Sequence, residues 1–204
     1  MESHATPMNL PNQLTVARIF MTMAFTVLLC FDHWLARLAA YILFIGATIT
    51  DYYDGKIARE RGLVTNFGKL LDPVADKVMI SAAFVMLLRV PELCVPAWTV
   101  VVILAREFLI TGARSLAAAQ GTVIAANKYG KLKAVFQMVY VYVVLGFLIL
   151  GDILALFVPT EAVVTYSWVL FHASLWGAVF VALYTVYTGL QFARINWPAL
   201  NMGE

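Results

Sequence analysis

The sequence predicts an all-α, polytopic membrane protein: six transmembrane helices preceded by a short N-terminal interfacial segment. Three observations predict it. Hydrophobic residues make up 62% of the 204-residue chain and charged residues 13%, against about 45–50% and about 25% in an ordinary soluble domain. The mean hydropathy is +0.84. The apolar residues fall into six runs, each close to the roughly 20 residues that a membrane-crossing helix needs. The polar stretches between them are too short to build a soluble core, so one membrane domain, 1–204, is expected. No secretory leader is expected either, because no small-residue cleavage site follows the first apolar run.

In chain order, the opening "MNLPNQLTVARIF" is less apolar than a span. Pro11 suits a first helical turn, and this segment is expected to lie along the cytoplasmic interface with Arg18 near the inner surface. The spans are then 14–31, 34–53, 72–88, 97–118, 134–158 and 166–192. Asp32-His33 makes the first tight turn. "RVPELCVP" puts Pro91 and Pro96 outside the helices, and "PTEA" at Pro159 ends the fifth span.

Orientation follows from lysine and arginine. Lys56, Arg59, Arg61, Lys69 and Lys77 lie between spans two and three, Lys128, Lys131 and Lys133 between spans four and five, and Arg194 near the end. The other side holds Arg37 and Arg89. Both termini and both basic loops are therefore predicted to be cytoplasmic, as an even number of spans requires. Cys30 and Cys94 form no metal-binding pattern. Apolar packing is the default for each, and whether they pair stays open. The net charge of +2 identifies no partner, and no nucleic acid is expected as one.

The chemistry lies in "TDYYDGKIARERGLVTNFGKLLDPVADK", residues 50–77. Asp51 and Asp54 are three apart and Asp72 and Asp76 four apart, so each pair shares one helix face. A short connection brings the two faces together at the cytoplasmic membrane edge. Four carboxylates there repel one another and lose hydration. Protonation, salt bridges with local lysines and arginines, or divalent cations would each relieve this. Oxygen ligands alone suit Mg²⁺ or Mn²⁺, and two such ions clamp an in-line displacement at phosphorus. Gly55 and Gly68 leave room for a ligand beside the backbone, Ala58 is small, and Arg59 can grip phosphate with two bonds. The bland alternative is a set of solvated helix ends with ordinary loop glycines. Two acid pairs facing each other across one loop weigh against it.

At fixed spacing these residues read D-x2-D-G-x2-A-R-x8-G-x3-D-x3-D. That pattern resembles the signature of the CDP-alcohol phosphatidyltransferase family at every fixed position. The resemblance implies transfer from a CDP-linked donor to an alcohol with release of CMP, assisted by two divalent cations, Mg²⁺ or Mn²⁺. It implies that Asp51, Asp54, Asp72 and Asp76 are the metal ligands and that Asp76 is the general base. Gly55, Ala58, Arg59 and Gly68 would line the CDP site, and by the same analogy Asn12 and Thr15 approach the nucleotide. It also implies a homodimer. The histidines His4, His33 and His172 form no paired motif, which argues against a covalent histidine mechanism.

For the acceptor, "LAREFLITGARSLAAAQG" puts Arg106, Glu107 and Arg114 in an apolar helix, where charges need partners. Two readings stay open: an internal Arg–Glu pair that packs the bundle, or an acceptor pocket. Lys128, Lys131 and Lys133 in "NKYGKLKAVFQM" mark the inner surface, attract anionic membrane lipids, or join Arg106 and Arg114 in holding an acceptor phosphate. "NLPNQLTVARI", "LDPVADK", "AREFLITGAR" and "KYGKLKAVFQM" resemble the bacterial branch of the family that moves a phosphatidyl group from CDP-diacylglycerol to sn-glycerol 3-phosphate at the inner membrane. Siblings with serine, inositol phosphate or phosphatidylglycerol as acceptor are the nearest alternative. A divalent-cation transporter is a more distant one, since transport favours acids near the bilayer midplane.

Overall fold

The computed structural model describes residues 9–60, 66–120 and 128–200, apart from the side chains of 52, 56, 58–60, 66–67, 69–70, 128–129 and 197–200. Every regular element among them is a helix: α1 Leu10–Leu28, α2 Trp34–Glu60, α3 Asn66–Leu87, α4 Ala97–Ala119, α5 Lys128–Leu154 and α6 Thr160–Leu200. Three stretches are long and apolar enough to cross a membrane, Trp34–Gly55, Gly130–Leu154 and Thr160–Asn196. The sequence predicted six spans. The helices outside that set carry polar groups that dilute their apolar content: Thr15, Arg18 and Thr22 on α1, Asp72 and Asp76 on α3, and Arg106, Glu107 and Arg114 on α4.

Two boundaries differ from expectation in ways that matter for the site. The segment expected to lie apart at the interface is, from Leu10 onward, the first half of α1. Asn9 caps it by accepting from the Asn12 N–H at 3.2 Å, and Pro11 occupies the first turn, where its missing N–H costs nothing. The signature residues also continue α2 to Glu60 instead of forming a loop after Tyr53. Hydropathy falls there, yet Lys, Ala, Arg and Glu are strong helix formers.

The chain divides into two compact units, Met1–Arg89 with Asp152–Phe157, and Val90–Gly151 with Val158–Glu204. In the first, α1 packs against α2 and α3. Phe25 and Phe44 meet with ring centroids 5.4 Å apart. Ala75, Met79, Ala83, Phe84 and Leu87 of α3 are buried at three- and four-residue steps. Arg37 is buried and its Nη1 donates to both Asp152 oxygens, at 2.8 and 3.0 Å. The inward face of α1 is largely polar, with Asn12, Thr15, Arg18 and Thr22 buried, while Phe20, Met23 and Val27 are exposed. Polar inside and apolar outside suits lipid as the solvent.

In the second unit α4 packs against α6. Between α5 and α6, Tyr140 Oη donates to the Ser174 carbonyl at 2.9 Å, and Phe136 meets Phe180 and Tyr184 edge-on. Cys94 donates its N–H to Ser174 Oγ at 3.0 Å. Both cysteines are free thiols. Gly177 allows Tyr140 to lie flat on α6, since a Cβ there would sit 2.7 Å from Cε2 and 2.9 Å from Cδ2 of that ring. The Ser174 bond prevents the ring from swinging aside. Gly177→Ala is therefore expected to destabilise the protein by about 1–3 kcal/mol, the usual range for overpacking. Thermal unfolding in detergent checks this, and Tyr140→Leu in the same background should relieve the loss.

Candidate active site

The first unit gathers the acids that the sequence singled out. Asp51 and Asp54 occupy one face of the last third of α2, and Asp72 and Asp76 one face of α3. Asp51 lies within electrostatic range of Asp72 and Asp76, and Asp54 within range of Asp51 and Asp72. Asp54 is buried, at 4% exposure, whereas Asp51 keeps 39% of its side chain open.

What holds these acids together comes from α1. Thr15 Oγ1 donates to Asp72 Oδ1 at 2.6 Å and lies 3.3 Å from Asp54 Oδ2, so one hydroxyl links α2 to α3. One turn on, Arg18 is completely buried. Its Nη1 reaches Asp51 Oδ1 at 2.7 Å, and its Nη2 pairs with Asp54 Oδ2. The sequence placed Arg18 near the inner surface and gave it no partner. The signal that could have found it is the rule that a charge in an apolar run needs an opposite charge.

Among the described residues no group of three or more His, Cys, Asp or Glu forms a ready-made metal cage; the Arg18 guanidinium lies against Asp51 and Asp54 instead. The donor set nevertheless fits a hard divalent cation. It consists of carboxylate oxygens with one hydroxyl beside them, and four carboxylates outweigh the single positive charge of Arg18.

Of the residues assigned to the nucleotide, Asn12 and Thr15 are buried one turn apart on the inward face of α1. Gly55 follows Asp54 on α2, and Gly68 is buried one turn before Asp72 on α3. The side chains of Ala58 and Arg59 lie outside the described residues.

The second unit collects the basic residues assigned to an acceptor phosphate. Lys133 is buried, which sets aside the surface-marker alternative for that lysine, and it pairs with Glu107. Arg106 Nη1 lies 3.8 Å from the same Glu107 oxygen and Gln137 Nε2 donates to it at 3.5 Å. Arg106 Nη2 donates to Thr188 Oγ1 at 3.3 Å. Arg114 stacks over the Phe192 ring, 5.3 Å from its centroid. The Nε atoms of Arg106 and Arg114 are buried without a hydrogen-bond partner among the described residues. A cavity of about 470 Å³ between α4 and α6 is lined by Arg106 with Leu109, Ile110, Ala113, Leu190 and Phe192. Lys131 is exposed, and the Lys128 side chain lies outside the described residues.

The family model described as CDP-alcohol phosphatidyltransferase matches residues 8–184. The chain is 41% identical over 206 residues to a CDP-diacylglycerol–glycerol-3-phosphate 3-phosphatidyltransferase of Bacillus subtilis (strain 168), covering 95% of this chain and 97% of that one. It is 37% identical over 180 residues to the protein of the same name from Rickettsia typhi, covering 88% and 94%. A probable phosphatidylglycerophosphate synthase of Mycobacterium tuberculosis (strain ATCC 25618 / H37Rv) is 41% identical over 134 residues, 64% of this chain and 63% of that one.

Proposed function

The chain belongs to the CDP-alcohol phosphatidyltransferase family, and from that premise we propose that it transfers the phosphatidyl group of CDP-diacylglycerol to sn-glycerol 3-phosphate, giving phosphatidylglycerophosphate and CMP. One observation carries the reading: near-full-length relatives at 37–41% identity bear the name of that reaction, and this chain keeps every acid of the family signature within one electrostatic cluster.

In this reading Asp51, Asp54, Asp72 and Asp76 hold two divalent cations, Mg²⁺ or Mn²⁺. Bound there, the cations would offset the charge of the diphosphate and of the departing CMP. Asp76 takes the proton from the acceptor hydroxyl. The acceptor oxygen bonds to the phosphorus that carries the lipid, the bond from that phosphorus to the CMP oxygen breaks, and CMP leaves with the electron pair. Gly55, Ala58, Arg59 and Gly68, with Asn12 and Thr15, hold the CDP moiety. Arg114, Arg106, Lys128 and Lys131 meet the acceptor phosphate; Lys133 joins them only by releasing Glu107. The same reading includes one domain of six spans in a bacterial inner membrane, a cytoplasmic site and a homodimer. The family match running across both compact units supports the single domain.

A panel of acceptors offered with CDP-diacylglycerol and Mg²⁺ or Mn²⁺ tests the proposal. Incorporation of glycerol 3-phosphate is the expected result, and incorporation of serine or inositol phosphate in its place would overturn the acceptor. Arg114→Ala is expected to raise the glycerol 3-phosphate KM about 10- to 100-fold, the loss of one charge-assisted bond, with little change in the CDP-diacylglycerol KM. An equal rise for both substrates would take Arg114 out of the acceptor site.

A further inference from the structure

We propose that Thr15 and Arg18 are positioning residues that anchor Asp51, Asp54 and Asp72 by one oxygen each, so that the second oxygen of each carboxylate is presented to a divalent cation. The inference rests on the cation-binding part of the function proposed above.

The pattern of contacts is selective. Arg18 Nη2 donates to Asp54 Oδ2, and Nη1 lies in ion-pair contact with Asp51 Oδ1, 2.7 Å away, without a hydrogen bond; Thr15 takes Oδ1 of Asp72 while approaching the same Asp54 oxygen that Arg18 uses. Among the described residues no bond from α1 falls on Asp51 Oδ2, Asp54 Oδ1 or Asp72 Oδ2. Elsewhere in the same unit Arg37 also meets two acids, but there Nη1 closes on both oxygens of Asp152 while Nη2 lies 3.7 Å from Asp32 Oδ1. Arg18 spreads its fork over two acids and leaves half of each. Its full burial on the inward face of α1 gives it no other outlet. Partners that hydrogen-bond a ligating carboxylate from behind fix its orientation, and their loss typically costs 10- to 100-fold in metal affinity. The planar guanidinium holds its two nitrogens in a fixed fork aimed at the two acids, whereas a lysine ammonium is a single point charge without that fixed geometry, so lysine is a poor substitute.

The test is Mn²⁺ binding to the full chain in detergent, read by electron paramagnetic resonance without either substrate. Thr15→Val keeps the shape and removes only the hydroxyl. It is expected to weaken Mn²⁺ binding about 10- to 100-fold, Thr15→Ser to restore it, and Arg18→Lys to weaken it by a similar factor. Unchanged affinity in Thr15→Val and Arg18→Lys would overturn the positioning role. Tighter binding would overturn it too, because it would make Arg18 a competitor of the cation. If Arg18→Lys does not stay monodisperse, the Thr15 pair carries the test alone. Absence of Mn²⁺ binding to the unaltered protein would bring down the cation-binding reading and this inference together, whereas binding that the variants leave unchanged would bring down this inference only.

Discussion

Asp72→Asn is expected to lower turnover by about a thousandfold or more while the chain stays folded and becomes no less stable. The two halves of that result come from different physics. Asparagine keeps the shape of the side chain and an oxygen that can accept the Thr15 hydroxyl, now 2.6 Å from Asp72 Oδ1. The link between α1 and α3 is preserved, so no buried donor is orphaned. The substitution also removes one negative charge that acts on Asp51 and Asp54, which relieves repulsion in a cluster with a single described cation partner. Stability of the protein without added metal should therefore hold or rise slightly. Catalysis has no such compensation. An amide oxygen is a weaker ligand for a hard dication than a carboxylate, and losing about 4 kcal/mol of the several that such an ion gives the transition state amounts to about a thousandfold. CMP release from CDP-diacylglycerol measures the first half and thermal unfolding in a chelator the second. Retention of more than a tenth of the activity would exclude Asp72 from the reacting centre. Lost activity with an equally lost fold would show that Asp72 is a structural acid.

The acids were legible because the information is local. Spacings of three and four set each pair on one face wherever the segment is helical, and the helices turned out longer than expected, which kept those faces intact. Boundaries were legible where covalent chemistry sets them. Pro96 precedes α4, whose range Ala97–Ala119 differs from the expected 97–118 by one residue. They were poorly legible where the chain changes solvent without changing conformation. Past Tyr53, and again past Phe192, polarity rises and the span estimate stops, while α2 and α6 continue as helix to Glu60 and Leu200. Hydropathy reports contact with lipid, not the end of a hydrogen-bonded ladder. The pairings that complete the site were hidden for a different reason. Arg18 meets an acid 36 positions away and Glu107 a lysine 26 positions away. Such contacts depend on the register of one helix against another, which no periodicity within either helix encodes. Lys133 shows the consequence. Three lysines close together read as a basic surface, yet the third lies one helix face inward, where α4 offers it a carboxylate.

That carboxylate is the place where a single truncation should damage the fold most. Glu107 keeps 14% of its side chain exposed and Lys133 5%, and Gln137 and Arg106 share the same oxygen. Glu107→Ala takes from a buried ammonium the carboxylate it pairs with and from the Arg106 guanidinium the acid 3.8 Å away. Breaking such a pair from one side costs about 3–5 kcal/mol, a large share of the roughly 5–15 kcal/mol that holds a typical domain together. Removing both charges is a different perturbation. Glu107→Ala combined with Lys133→Met replaces the ammonium by an apolar chain of similar length, and the double variant should recover more than half of the loss, because the desolvation of Lys133 disappears with its charge. Lys133→Met alone should cost less than Glu107→Ala, since Glu107 keeps Arg106 and Gln137. Unfolding midpoints of the three proteins in one detergent decide the order. Equal losses in the single and double variants would mean that Glu107 supports the bundle through Arg106, not Lys133. The same Lys133→Met protein also separates packing from binding: a glycerol 3-phosphate KM unchanged from that of the unaltered chain would assign Lys133 wholly to packing and leave the acceptor phosphate to Arg106, Arg114, Lys128 and Lys131.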